Sequence, residues 1–179
     1  MRIGITGYAE SGKDVASDHL EEEFGFVRIN MSDALDKYLQ ILDPYVVASL
    51  GSTSYIRYAA LRQHMSLTEA KKIPEVRRLF QKFGTDVGRA IDPEMWVTQL
   101  ELEASKHQMV VTTGIRYVEE VAPLDVLLHI NRPGYGPLND HSSEDLQHIF
   151  DLADHRIDND TTIADLQAKV QAWLIEVMS

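Results

Sequence analysis

Gly7-Tyr8-Ala9-Glu10-Ser11-Gly12-Lys13-Asp14 is the stretch on which the reading of this chain turns. Arg2-Ile3-Gly4-Ile5-Thr6 before it has the composition of a buried strand, and a helical pattern runs from Lys13 to about Phe24. Gly, four residues, Gly and Lys between a strand and a helix is the context a phosphate-binding loop requires. The glycines let successive backbone N–H groups turn into one hollow, and the helix N-terminus adds its partial positive charge. Lys13 reaches toward β- and γ-phosphates as a point charge. A plain glycine turn is the bland alternative.

Asp14 stands where a Ser or Thr hydroxyl ordinarily binds Mg²⁺. A carboxylate is also a hard oxygen ligand for Mg²⁺, but beside bare phosphates it repels them. Asp14 therefore fits the loop with the metal between; otherwise it is an acid favoured by the helix dipole.

Outward from the loop, short β-like runs alternate with helix-period segments. Gly25 stops the first helix, and Phe26 to Asn30 reads as a second strand. Leu35, Tyr38, Leu39 and Leu42 recur at helical spacing up to Pro44, and Val76, Leu79, Phe80 and Phe83 repeat the pattern. Asp92-Pro93 reads as a helix start running to about Lys106. Met109 to Thr113 and Val126 to Ile130 are continuous apolar runs of the kind a parallel sheet buries on both faces. Ser142 or Ser143 is expected to cap a helix through about Asp151, followed by a strand near Arg156 to Asp158 and a last helix from Ile163 to Val177. The order predicts an α/β domain with a parallel sheet of about five strands. The core spans residues 1–30, 94–131 and 145–179, with a helical insertion over about 31–93.

One domain is what 179 residues suggest, and that length buries a core without staples. Zero cysteines exclude disulfides, thiolate catalysis and Cys-ligated zinc, and the seven histidines show no HExxH-like pairing. A net charge of −11 argues against a protein that lies on nucleic acid or an anionic membrane. No apolar run is long enough to cross a bilayer, and MRIGITG is too short for a signal peptide, so a cytoplasmic protein is expected. The charge is uneven, however. Residues 57–89 hold eight cations and three acids, a net of +5, which leaves −16 for the remainder. That run is either a solvated helix face or a basic pocket for a small anion.

GxxxxGKD with an Ala two residues on, at Ala16, resembles the deoxynucleoside monophosphate kinases of bacteriophages, within the nucleoside monophosphate kinase group of P-loop proteins. The likeness continues through Phe83-Gly84-Thr85-Asp86-Val87-Gly88-Arg89 with Trp96, and through Val111-Thr112-Thr113-Gly114-Ile115-Arg116. It extends to Arg132-Pro133-Gly134 with His141-Ser142-Ser143-Glu144, and to Asp154–Asn159 with Leu166. The last block also resembles dephospho-CoA kinase. The resemblance implies a three-layer αβα fold, ATP as donor, Mg²⁺, a helical acceptor-binding insertion and a lid over about 132–144. Such chemistry needs no general base, because the acceptor oxygen is already anionic; catalysis is positioning and charge neutralisation.

By that resemblance Gly7, Ala9, Glu10, Ser11, Gly12, Lys13, Asp14 and Val15 would hold the donor phosphates, with Arg132 and His141 from the lid. Asn159 and Thr161 would lie by the adenine. Arg116, just beyond a strand end where open sheets bind ligands, would grip the acceptor phosphate. Ser32, Asp33, Arg57, Arg78, Arg89 and Trp96 are the further acceptor-side candidates. Catalytic weight is expected on Lys13, Arg116 and Arg132. Helix capping competes for Ser32, Asp33, Ser142 and Glu144, and core packing competes for Trp96, Tyr38 and Tyr45. The aspartate usual near the Arg116 strand end is replaced by Thr112, Thr113 and Gly114. The expected partners are small nucleotides, with no nucleic acid and no membrane; a homodimer stays open. Kinases of other small phosphorylated acceptors, such as dephospho-CoA or phosphomevalonate, and a non-catalytic nucleotide-binding regulator remain the alternatives.

Overall fold

The computed structural model describes residues 1–179 and resolves into two compact units, Met1–Asn30 with Leu100–Ser179, and Met31–Gln99. The first contains β1 (Arg2–Thr6), α1 (Lys13–Phe24) and β2 (Val27–Arg28); the second contains α2 (Met31–Leu42), β3 (Tyr45–Val47), β4 (Tyr55–Arg57), α3 (Tyr58–His64), α4 (Leu67–Ala70) and α5 (Pro74–Gln81). A π-helical run, Lys82–Arg89, continues α5, and α6 (Met95–Ala104) leads back. Then come β5 (Val110–Thr113), β6 (Val126–Asn131), α7 (Gln147–Phe150), β7 (His155–Asp158) and α8 (Ile163–Val177).

Five strands form one sheet in the order β2-β5-β1-β6-β7, and every neighbouring pair is parallel. The loop after β1 therefore leaves the middle of the sheet. Ile3, Ile5, Val111, Leu128, Ile130 and Ile157 meet Ala16 and Leu20 of α1 and Leu166, Val170, Trp173 and Leu174 of α8 in one core. A central strand with both faces covered needs a small residue where the packing is tightest. Gly4 is that residue: a Cβ there would lie 2.3 Å from Leu124 Cδ1. Gly25 ends α1 in the left-handed conformation at φ 73°, with Phe26 N–H donating back to Leu20 O.

The helical unit has its own core of Leu35, Leu39, Val46, Tyr58, Leu61, Ile73, Val76, Phe80 and Trp96. Its hairpin, β3 against β4, was not anticipated; Tyr45 pairs with Arg57, Val46 with Ile56 and Val47 with Tyr55. The signal was present in two short β-favouring runs around Gly51, but three residues per strand is too short for periodicity to speak.

Three boundaries differ from the sequence expectation. β2 is two residues long, although Ile29 N–H still donates to Val111 O. The helix expected from Asp92 starts at Met95, because Asp92 Oδ1 accepts from Glu94 N–H and forms a turn first. The helix expected from Ser142 to Asp151 is broken into a 3₁₀ turn, Ser142–Glu144, and α7, with Asp145 extended between them.

Candidate active site

The phosphate loop gets its shape from three residues. Gly7 sits at φ 147°, and a Cβ there would be 2.4 Å from Ile130 O; Gly12 sits at φ 104°, where a Cβ would be 2.6 Å from Asn159 Nδ2. Neither position admits another residue without moving backbone or a buried neighbour. Glu10 is held left-handed at φ 62°, a conformation that costs a side-chain-bearing residue about 1–2 kcal/mol. These turns lead directly into the N-terminus of α1 at Lys13, and a glycine-rich turn at a helix N-terminus is the arrangement that binds anions.

Side chains that follow two other strands touch that loop. Asn159, after β7, donates Nδ2–H to Ser11 O at 2.9 Å and its backbone N–H to Asn131 O at 2.7 Å. Lys169 of α8 braces the same segment through Asp158 O and Asp160 Oδ1. Arg132, directly after β6, donates Nη1–H to Glu10 O at 2.9 Å and stacks over Tyr135. Lys13 Nζ donates to Tyr8 O, so its ammonium lies over the loop itself. Ser11 is 1% exposed and its Oγ makes no hydrogen bond within the protein; a Cβ on Gly7 would come within 2.7 Å of this buried polar atom. Asp14 is exposed in the first turn of α1, and Val15 follows it half-buried.

The loop and Asp14 fit a magnesium–nucleotide complex. Gly7 and Gly12 admit no Cβ, Ser11 Oγ is a buried polar group with no partner in the protein, and Asp14 offers an exposed carboxylate in the first turn of α1. Mg²⁺ is held by one or two carboxylates together with substrate phosphates, and Asp14 is a carboxylate of the kind such a site uses.

At the end of β5, Thr113 gives its N–H and Oγ1–H to Asn30 Oδ1, at 2.8 and 3.0 Å. Arg116 follows. Its backbone N–H donates to Glu120 Oε2 at 2.7 Å, and its Nη1 donates to Ser143 O and, at 3.3 Å, to Glu144 Oε1. Glu144 is 2% exposed and was expected as a plain cap; the structure gives the cap to His141, whose Nδ1 accepts from Ser143 N–H at 3.2 Å. His141 Nδ1 is thereby engaged within its own segment. Thr161 is exposed after Asn159 and supports Asp165 in the first turn of α8, whose N-cap is Thr162.

Beside the loop, His129 stacks flat on Phe150 with ring centroids 3.8 Å apart, and Tyr8 meets Phe150 edge-on. Burial, reinforced by the Arg156 and Lys13 charges, pushes the His129 imidazole down to about 4, so it is neutral near pH 7.

In the helical unit the acceptor-side candidates separate. Arg57 is exposed at the end of β4, donates Nη1–H to Asp43 O and lies 4.3 Å over the Tyr45 ring. Arg78 is exposed on α5, and Arg89 donates to Pro93 O at 2.9 Å from the π-helical run. Ser32 and Asp33 lie inside the first turn of α2, not ahead of it, so they do not cap it. Trp96 is corrected to core: it is 4% exposed, donates Nε1–H to Gly84 O at 2.7 Å and packs so closely that a Cβ on Gly88 would come within 2.6 Å.

Sequence reasoning also missed Asp36, almost fully buried. Its Oδ1 accepts from the Tyr58 hydroxyl and from Arg62 Nε at 3.0 Å; its Oδ2 accepts from Arg62 Nη2 and Gln40 Nε2 at 3.2 and 2.8 Å. Burial, with the Asp36 carboxylate, pushes the Tyr58 hydroxyl's pKa up strongly. The i,i+4 pairs Asp36–Gln40 and Tyr58–Arg62 were legible; their meeting across two helices was not.

The strand order, the loop after the central strand and the arginines around strand ends define a P-loop kinase. Solved structures with this fold include shikimate kinase from Aquifex aeolicus (TM-score 0.54, 14% identity, 99% of this chain and 98% of that one) and TT1252 from Thermus thermophilus (0.54, 17%, 98% and 97%). Dephospho-CoA kinase from Campylobacter jejuni is similar as well (0.52, 14%, 98% and 96%). No curated protein sequence matches the chain. Residues 39–170 match the deoxynucleotide monophosphate kinase family, and the chain belongs to that family. It is a phosphotransferase acting on deoxynucleoside monophosphates. The matched residues begin after the phosphate loop, so loop and family match are separate lines of support.

Proposed function

We propose that the hollow at Gly7–Lys13 holds the β- and γ-phosphates of ATP, with Lys13 and Arg132 as cations and Asn159 as the brace that keeps the loop in shape. The observation that carries this reading is the convergence of Arg132 and Asn159, from two other strand ends, on the carbonyls of a loop whose two glycines admit no Cβ. Asp14 is the residue that would hold Mg²⁺, whose charge would offset that of the phosphate oxygens. Lys13 breaks its contact with Tyr8 O to meet phosphate. Arg132, at the base of the lid, trades Glu10 O for a donor oxygen and brings residues 132–144 over the site, which excludes water that would hydrolyse ATP.

Arg116 grips the acceptor phosphate, and Arg57, Arg78 and Arg89 of the basic segment support the acceptor. The acidic remainder of the chain excludes long polyanions, so small magnesium-shielded nucleotides are the partners, with neither nucleic acid nor membrane. No helix is long and apolar enough to cross a membrane. A cytoplasmic setting, the host's for a phage protein, suits this reading.

A panel of the eight common ribo- and deoxyribonucleoside monophosphates, each with ATP and Mg²⁺, tests the proposal. Diphosphate is expected from deoxynucleotides with Mg²⁺ present and lost on chelation. Turnover undiminished by chelation would remove Asp14 from its role.

A further inference from the structure

Arg116 does not stand free at its strand end. Its main chain is pinned by Glu120, nearly buried, which also accepts Tyr117 N–H at 3.3 Å. Its guanidinium is held at one corner only. Nη1 serves both Ser143 O and Glu144 Oε1, whereas Nε and Nη2 make no hydrogen bond within the protein, and the side chain stays 29% exposed. Glu144, by contrast, is almost wholly buried, directly at the end of the connection that begins with Arg132.

A buried carboxylate is costly, and one beside an arginine lowers the positive potential that arginine offers an anion. For phosphate affinity by charge alone, Glu144 is the wrong residue. Its value lies in geometry: a guanidinium fixed at Nη1 has its planar fork preset, and a two-point grip on phosphate needs that plane.

We propose that Glu144 is a positioning residue, which orients Arg116 for the acceptor phosphate and ties that grip to the C-terminal end of the 132–144 connection. The inference rests on the reading of Arg116 as the acceptor arginine. Because Ser143 O and Glu144 Oε1 meet the same Nη1, displacement of the 142–144 turn turns the guanidinium with it. The 132–144 connection starts at Arg132, which bonds the phosphate loop at Glu10 O, and ends at Glu144, which bonds Arg116.

Steady-state kinetics with ATP and a deoxynucleoside monophosphate test this on Glu144→Ala, Glu144→Asp, Glu144→Gln and Arg116→Ala, with thermal midpoints measured in parallel. Ala removes the acceptor oxygen and Asp withdraws it; both are expected to raise the acceptor KM about tenfold, the scale of a misoriented contact, with the KM for ATP within twofold. Gln keeps an oxygen for Nη1 and is expected to stay within threefold of wild type. An Asp variant equal to wild type, a Gln variant as impaired as Ala, or KM values for ATP and acceptor rising together would overturn the inference. If the Ala variant does not fold, the contrast between Asp and Gln decides alone. Arg116→Ala separates the two layers: unchanged acceptor kinetics there defeat the Arg116 reading, whereas impaired kinetics with an unaffected Asp variant defeat only the role of Glu144.

Discussion

The sheet unit and the helical unit handle charge in opposite ways. Around the phosphate loop, recognition is built from backbone: two glycines that admit no Cβ, one strained residue and a helix N-terminus. In the helical unit, charge sits on long side chains, some exposed like Arg57 and Arg78, others locked in a buried network like Arg62 with Asp36. A backbone site is preset when the chain folds. A side-chain site must be organised by partners, and each partner is a further place for it to fail.

Three variants sharpen that contrast. The largest effect is expected from Lys13→Ala, which removes the side-chain cation that the phosphate loop itself contributes. Turnover should fall by about three orders of magnitude, the scale of losing a preorganised charge in the transition state, while the thermal midpoint barely moves. Most of the wild-type rate surviving would mean the loop does not hold the reacting phosphates.

Asp36→Ala should do the reverse, leaving the loop intact and destabilising the helical unit. It strands Arg62 and the Tyr58 hydroxyl in a buried position, a loss of about 3–5 kcal/mol read by urea denaturation. A loss below about 1 kcal/mol would show that water replaces the carboxylate and that the network is not buried in solution.

The third effect is smaller and is read against pH. His129 has a folded pKa of about 4, below its unfolded value of 6.5, so the unfolded state binds the proton more readily. Its stabilising contribution is complete above pH 6.5 and is lost as pH falls toward 4, by at most about 3 kcal/mol. His129→Phe should flatten that part of the stability profile. An unchanged slope between pH 6.5 and 4 would place the titration elsewhere.

What sequence could and could not show follows the same division. Ile3, Ile5, Val111, Leu128 and Ile130 announce the parallel sheet, because strands buried on both faces are apolar throughout, and Gly7, Gly12 and Lys13 announce the loop, because backbone geometry restricts residue choice there. Trp96 had two readings in sequence, and only its contacts with Gly84 and Gly88 place it in the core. Glu144 looked like a cap because caps are local, whereas its partner Arg116 lies 28 residues away in the chain. Asp36 and Arg62, 26 residues apart, are invisible to spacing for the same reason. Local motifs are written in order along the chain; networks closed by tertiary contact are not.

The outermost strand carries a last consequence, for behaviour in concentrated solution. β7 has its second flank unpaired by any strand, yet Arg156 and Asp158 bind one another there at 3.0 Å, and Asn131 adds a bond to Asp158. A foreign strand adding to that edge would have to desolvate an ion pair already satisfied where it is. At the other edge β2 offers only two residues. Charged side chains on one edge strand and the shortness of the other make both edges poor templates for an added strand.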